Sequence, residues 1–189
     1  MKLWICLLSA GLAGFAPGSV AVAEEDIASK MINKETNGAW YFQPDKPKAK
    51  HIKAEVPGEY AFRVKANKAN NPWEIQATSP IAGAINEGDV IMLSYFARAE
   101  EPAEGGSSLT AQIQLAGPPY SSVLQMTSKI SPEWKSYCGF RVASASIAEK
   151  KSNVTIHLAT AKQVIDLGPV LVFNFGTGYD TTKLKFCDG

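Results

Sequence analysis

The chain has 189 residues, 46% of them hydrophobic and 20% charged, with 19 lysines and arginines against 18 acids and a formal net charge of +1. So even a balance, with both signs scattered, leaves no electrostatic footprint for nucleic acid or for an anionic membrane surface. The composition is that of a globular chain with room for one domain.

The first segment reads as a targeting sequence. Met1 and Lys2 make a minimal positive start, residues 3–16 are an apolar run with two glycines, and Ala21, Val22 and Ala23 offer the small-x-small pattern read by a signal peptidase. The apolar run is shorter than the roughly 20 residues a bilayer span needs. Residues 1–23 are therefore expected to be a signal peptide, and the protein to be secreted or periplasmic with no membrane span. Cys6 lies inside the apolar run, not after a cleavage site. Removing Lys2 with the signal brings the charge of the rest to zero.

Residues 24–34 are the one helical fragment. Residues 24–38 are expected to form a leader or edge segment before a single domain over 39–189. From there on the apolar period is two almost everywhere. "EYAFRVKA" sets Tyr60, Phe62 and Val64 against Arg63 and Lys65. "NNPWEIQATSP", read as a strand, sets Trp73, Ile75 and Ala77 against Glu74, Gln76 and Thr78. "DVIMLSYFARA" places Ile91, Leu93, Tyr95 and Ala97 on one face, with Val90, Met92, Ser94, Phe96 and Arg98 behind. "SLTAQIQLA" points Leu109, Ala111, Ile113 and Leu115 inward and Thr110, Gln112 and Gln114 outward. "SNVTIHLAT" points Val154, Ile156 and Leu158 inward and Thr155 and His157 outward. "VIDLGPVLVFNFG" carries a Gly168-Pro169 break, read as a bulge or bend between two strands. Turn clusters at 56–58, 86–89, 104–107 and 116–119 separate these runs. Short strands at such spacing, without helices between, predict an all-β fold: a jelly-roll β-sandwich of two antiparallel sheets.

After the signal two cysteines remain, Cys138 and Cys187, and in an exported protein the default is one disulfide. It would close a loop of 49 positions, a restraint worth on the order of 4 kcal/mol in the chain-entropy model.

The outward polar rows carry the functional expectation. Glu74, Gln76, Arg98, Gln112, Gln114 and His157 come from four runs, each at mid-strand. Amides, a guanidinium and an imidazole suit a sugar, whose hydroxyls both donate and accept. The same rows also fit the solvated face of an antiparallel sandwich, but a passive face is richer in Lys, Glu and Thr. Aromatic partners for a sugar's C–H face are Trp40, Tyr41, Trp73, Tyr120, Trp134 and Tyr137. Trp73 shares its face with Ile75 and is assigned to the core. Trp134 is given a structural role. Tyr120, in the loop "GPPYSS", has both binding and structural roles open to it. Enzymatic signatures are missing: no HExxH, no GxSxG elbow, no carboxylate pair across a cleft. His157 and Asp166 could pair, but no candidate nucleophile accompanies them, so no catalytic residue is assigned. Acidic, carbonyl-rich turns suit a structural calcium, although no EF-hand-like loop exists.

"VPGEYAFRVKANKANNPWEIQ", "EGDVIMLSYFARA", "AGPPYSSVLQ", "SPEWKSY" and "VTIHLATAKQVIDLGPVLVFNFG" resemble, in order, the carbohydrate-binding modules of families 4, 9 and 22, as found beside bacterial xylanases. The likeness covers residues 55–178. It implies a galactose-binding-like jelly roll that binds plant or algal polysaccharide and often carries a structural calcium, with no other cofactor. It also implies a groove across the face carrying Gln76, Arg98, Gln112, His157 and Gln163, with Tyr120 at the rim. The family's turn after the histidine is Leu158-Ala159-Thr160 here, a departure from its pattern. These modules usually accompany a catalytic domain that this chain lacks, so a separate glycoside hydrolase is the expected companion. The expected function is non-catalytic polysaccharide binding. The alternatives are an extracellular structural or adhesion protein of the same fold without a sugar ligand, and a polysaccharide lyase or hydrolase.

Overall fold

The computed structural model describes residues 27–33, 39–44, 48–184 and 187. The expected signal peptide lies outside the described residues. Ten strands follow: β1 (Tyr41–Gln43), β2 (Lys48–Lys53), β3 (Tyr60–Ala66), β4 (Gln76–Ile81), β5 (Asp89–Glu101), β6 (Ser107–Leu115), β7 (Ser122–Ile130), β8 (Lys135–Val142), β9 (Ser152–His157) and β10 (Gln163–Thr177). They form two five-stranded sheets, ordered β1-β4-β9-β6-β7 (sheet I) and β2-β3-β10-β5-β8 (sheet II). Every pairing is antiparallel. The fold is the expected all-β jelly-roll sandwich.

The period-two patterns explain why the sheets face each other. Ile91, Leu93, Tyr95 and Ala97 of β5, Leu109, Ala111 and Ile113 of β6, Val154 and Ile156 of β9, and Ile165 and Leu167 of β10 form one buried core between the sheets. Each large aliphatic there contributes roughly 1.5–3 kcal/mol by leaving water. A one-residue slip would turn a strand's whole apolar set outward, so the core sets the register.

β10 is one strand, not two. Its register against β5 shifts between Leu167 and Val170, so Gly168-Pro169 is a bulge within the strand, where a proline lacking an N–H is tolerated. Gly168 is required by contact: a Cβ there would lie 2.9 Å from Cβ of Phe96. Trp40, buried, donates its Nε1–H to the Gly168 carbonyl at 2.8 Å.

Within residues 27–33 the expected helix reduces to one 3-10 turn, Ile27–Lys30. The chain is then drawn out along β10. Ile32 N–H donates to Val172 O at 2.9 Å. The Asn33 amide bridges Val170 O and Val172 N at 2.9 and 2.8 Å.

Cys138 and Cys187 form the expected disulfide. It ties β8 to the last described residue beside a second apolar cluster of Val90, Met92, Phe173, Phe175 and Leu184. That cluster lies on the outer side of sheet II.

Candidate functional site

Among the described residues the outer face of sheet I is open in part: Gln43, Gln125 and Thr127 are exposed, Gln76, Thr78, Thr110, Gln112 and His157 half-buried, and Thr155 and Gln114 buried. Residues alternate across a strand, so the inward Ala77, Ile113 and Ile156 dictate which neighbours point out. Register then aligns the outward residues into two rows across all five strands. One row runs Gln43, Gln76, His157, Thr110 and Thr127; the other runs Tyr41, Thr78, Thr155, Gln112 and Gln125. Asn153 and Gln114 pair one step further along. His157 is the one imidazole in these rows.

Hydrogen bonds link the rows sideways. Gln76 Nε2 donates to Gln43 Oε1 at 2.5 Å, Gln112 Nε2 meets His157 Nε2 at 3.3 Å, and the Thr110 and Thr127 hydroxyls lie 3.1 Å apart. Thr155 Oγ1 donates to Asn153 Oδ1 at 3.1 Å. Burial holds the His157 pKa below its ordinary value of 6.5, so the imidazole is neutral at pH 7. Its Nε2 then accepts from Gln112, which leaves the proton on Nδ1 as a donor. Each glutamine amide has two donors and one oxygen with two lone pairs, so one bond per side chain leaves capacity for a hydroxylated ligand.

Exposed aromatics border this polar field. Tyr41 is 61% exposed on β1, opposite Thr78. Tyr120 is 54% exposed in the loop between β6 and β7, beyond Gln114. Its φ of 58° lies in the left-handed region that a non-glycine residue rarely adopts. The turn is closed by Tyr120 N–H donating to Gly117 O at 2.9 Å.

Trp73 requires a correction. It is not in the core but 55% exposed, with its ring edge-on to His157 at 6.1 Å and 60°. The strand does not begin at Pro72. Pro72–Glu74 form a 3-10 turn, and β4 starts only at Gln76, so period-two parity does not reach Trp73. Ile75 takes the core contact alone. The turn is tied to the end of β9 by Leu158 N–H to Ile75 O (2.8 Å) and Ala159 N–H to Pro72 O (3.1 Å), which holds Trp73 beside His157.

The expected site residues divide accordingly. Gln76, Gln112 and His157 share the open face, and Tyr120 stands at one end of it. Glu74 lies off the rows: its Oε1 accepts from the Asn71 backbone N–H at 2.9 Å and from Asn71 Nδ2 at 3.1 Å, closing the turn that carries Trp73. Gln163 is buried, donating to Leu158 O at 3.0 Å and to Thr160 Oγ1 at 3.3 Å. It braces the turn after His157 instead of facing the rows.

Arg98 belongs to β5 and to the outer side of sheet II, the far side of the molecule from the rows. Its Nε donates to Asp166 at 2.8 Å, its guanidinium pairs with Glu100 at 2.6 Å, and the Trp134 ring lies 5.4 Å away. Arg63 grips the same Asp166 through two bonds of 2.8 and 2.9 Å. Asp166 is fully buried and faces away from His157, so the His–Asp pair considered from sequence does not form.

Tyr41, named from sequence only among the candidate aromatics, and Gln43, Gln125 and Thr127, not named there, join the face. The alternation Tyr41-Phe42-Gln43, with Phe42 packed on the core, was the available signal for the first two. β7 hides its pattern because consecutive Val123 and Leu124 are both buried where its register with β6 shifts.

Among the described residues no three His, Cys, Asp or Glu side chains cluster as a metal site. The buried Asp89 carboxylate accepts instead from Asn86, Asn174 and Thr177. No helix of the described residues is long and apolar enough to cross a membrane.

No protein-family model matches the chain, and no curated protein matches it. Solved structures do. The second N-terminal cellulose-binding domain of Cellulomonas fimi β-1,4-glucanase C superposes with a TM-score of 0.58 at 14% identity, covering 77% of this chain and 95% of that one. A CBM4 carbohydrate-binding module superposes with a TM-score of 0.56 at 18% identity, over 71% of this chain and 94% of that one. The CBM22-1 and GH10 modules of Clostridium thermocellum endo-1,4-β-D-xylanase 10B, complexed with xylohexaose, give 0.54 at 14% identity over 79% of this chain and 29% of that one. The chain therefore has the fold of the carbohydrate-binding modules of the family 4 and 22 type, the fold its sequence motifs resemble.

Proposed function

We propose that the protein is a secreted, non-catalytic polysaccharide-binding protein whose open face on sheet I holds an uncharged glycan chain. The observation that carries this reading is the pair of five-residue polar rows, built from amides, hydroxyls and one neutral imidazole, bordered by Tyr41, Trp73 and Tyr120. Strands lie about 4.8 Å apart, so each row is on the order of 19 Å long. A chain laid across the strands meets a fresh set of polar groups at each strand, roughly one per sugar ring. Amides and hydroxyls bond neutral hydroxyls without the desolvation cost of a fixed charge. Trp73 and Tyr41 supply apolar faces for the C–H side of the rings, as aromatic residues with one wet edge do at interfaces.

In this reading the ligand is bound and released unchanged; among the described residues the rows hold no carboxylate. The fold neighbours that are cellulose-binding or xylanase-linked modules support this class of ligand. They also support action beside a separate glycoside hydrolase. Affinity electrophoresis in gels containing xylan, mixed-linkage β-glucan or hydroxyethylcellulose tests the proposal. Retardation by at least one polymer is expected in the wild type and in Arg98→Ala, and its loss in Trp73→Ala with Gln112→Ala. Equal retardation of the wild type and the double variant would sink the reading.

A further inference from the structure

β3 accompanies β10 only as far as the Phe62–Leu167 pair. Past the Gly168-Pro169 bulge the vacated edge of β10 is taken by Ile32 and Asn33. Where sheet II splits in this way there is a cavity of about 340 Å³, lined by Trp40, His51, Tyr60, Phe62, Pro169 and Leu171 among others. It belongs to sheet II and shares no residue with the rows on sheet I.

The lining is specific in kind. Three rings step outward: Phe62, half-buried against the core; His51, edge-on to it at 5.0 Å; and Tyr60, stacked on His51 at 4.8 Å and 17°. Tyr60 is 56% exposed. The bond from Trp40 Nε1 to Gly168 O fixes the tryptophan plane. Among the described residues no lysine, arginine, aspartate or glutamate lines the space. A cross-strand aromatic stack supports a hairpin, which accounts for the rings but not for the cavity beside them. The volume falls at the low end of small-ligand sites, about 300–1,000 Å³, which suits one ring and not a polymer segment.

We propose that this cavity is a second ligand site, taking a single uncharged pyranose: a free sugar or the end unit of a glycan. The apolar ring faces meet the C–H side of the sugar, and the Tyr60 hydroxyl and a His51 nitrogen, at the wet rim, meet its hydroxyls. Among the described residues a charged sugar finds no counter-ion. The site stands independently of the open face.

The chain has only two histidines, His51 and His157, one at each place, so their imidazole C–H resonances report the two sites separately. The test is an NMR titration of the full chain with methyl glycosides of xylose, glucose, galactose and arabinose, and then with a xylo- or cello-hexasaccharide. At least one methyl glycoside is expected to shift His51 saturably in the millimolar range while His157 stays still. Tyr60→Ala should weaken that response about tenfold or more, and Tyr60→Phe, which keeps the stack, should weaken it less. The proposal is overturned if no glycoside shifts His51 saturably, if the shift persists unchanged in Tyr60→Ala, or if phenol shifts His51 and no glycoside does. A hexasaccharide that moves His157 alone would leave the open-face reading standing and remove this one.

Discussion

The outer sides of the two sheets carry polar residues at equivalent mid-strand positions, yet they use them differently. On sheet II the charges are spent on each other: Asp166 is enclosed by Arg63 and Arg98, and Glu100 pairs with Nη2 of each arginine, which on Arg63 also donates to Asp166. An apolar cluster beside the disulfide lies on the same side. On sheet I the groups are neutral and singly bonded, and aromatic rings stand exposed at the margins. A saturated ion-pair network supports the fold; a half-satisfied field of amides and hydroxyls is free to bond a ligand. Polarity on a strand's outer face is thus poor evidence of a site until its partners are counted.

Removing the centre of the network should have the largest effect. Asp166→Ala leaves two part-buried arginines facing a void, and breaking a buried pair this way costs about 3–5 kcal/mol. Denaturant unfolding should show that loss, with polysaccharide retention of the folded fraction unchanged. Loss of retention in a folded Asp166 variant would break the division between the two sides.

Next comes the disulfide beside the apolar cluster of sheet II. Cys138→Ser with Cys187→Ser should lower stability by about 2–4 kcal/mol, because the closed loop restricts the unfolded chain. The thermal melt of the wild type in reductant should fall to that of the double variant, below the melt without reductant, and binding should again be unaffected.

The open face should show the reverse pattern. Trp73→Ala should weaken polymer binding on the order of 10- to 30-fold, as loss of an aromatic anchor does, while the melting temperature moves by only a few degrees because the ring is exposed. Gln112→Ala should cost less, about 1 kcal/mol of binding, the worth of a typical hydrogen bond. Isothermal titration with an oligosaccharide reads both.

The smallest effect should be that of acid. His157 has a folded-state pKa depressed by burial below 6.5, so the unfolded chain takes up a proton before the folded one. The stability due to the neutral ring is complete above pH 6.5 and is lost as pH falls through the folded-state pKa. Protonation also turns Nε2 into a donor facing the Gln112 amide donor. Binding at pH 7 should therefore exceed binding at pH 4.5, and His157→Gln should flatten that dependence. A profile identical in His157→Gln would remove the imidazole from the site.

Much of this was legible in residue order. Alternation over Ile91–Ala97, Leu109–Leu115 and Val154–Leu158 identified three central strands and their inward faces, because burial of one face leaves a period of two. The same alternation placed Gln112 and His157 outward, and two cysteines after the expected targeting segment implied the disulfide. Parity fails where the backbone changes state. At Pro72 a 3-10 turn precedes β4 and turns Trp73 outward, and at Gly168-Pro169 a bulge shifts the register without ending the strand.

By itself, then, the sequence determined that this is an all-β sandwich, which strand faces are apolar, and that neutral hydrogen-bonding groups lie opposite them. These are local properties of alternating residues. Only the tertiary structure decided which outward residues share a face: Gln76 joins His157, Arg98 goes to the other sheet, and Trp73 leaves the core for the site. Sheet membership is set by long-range pairing between strands far apart in the chain, and no local period records it.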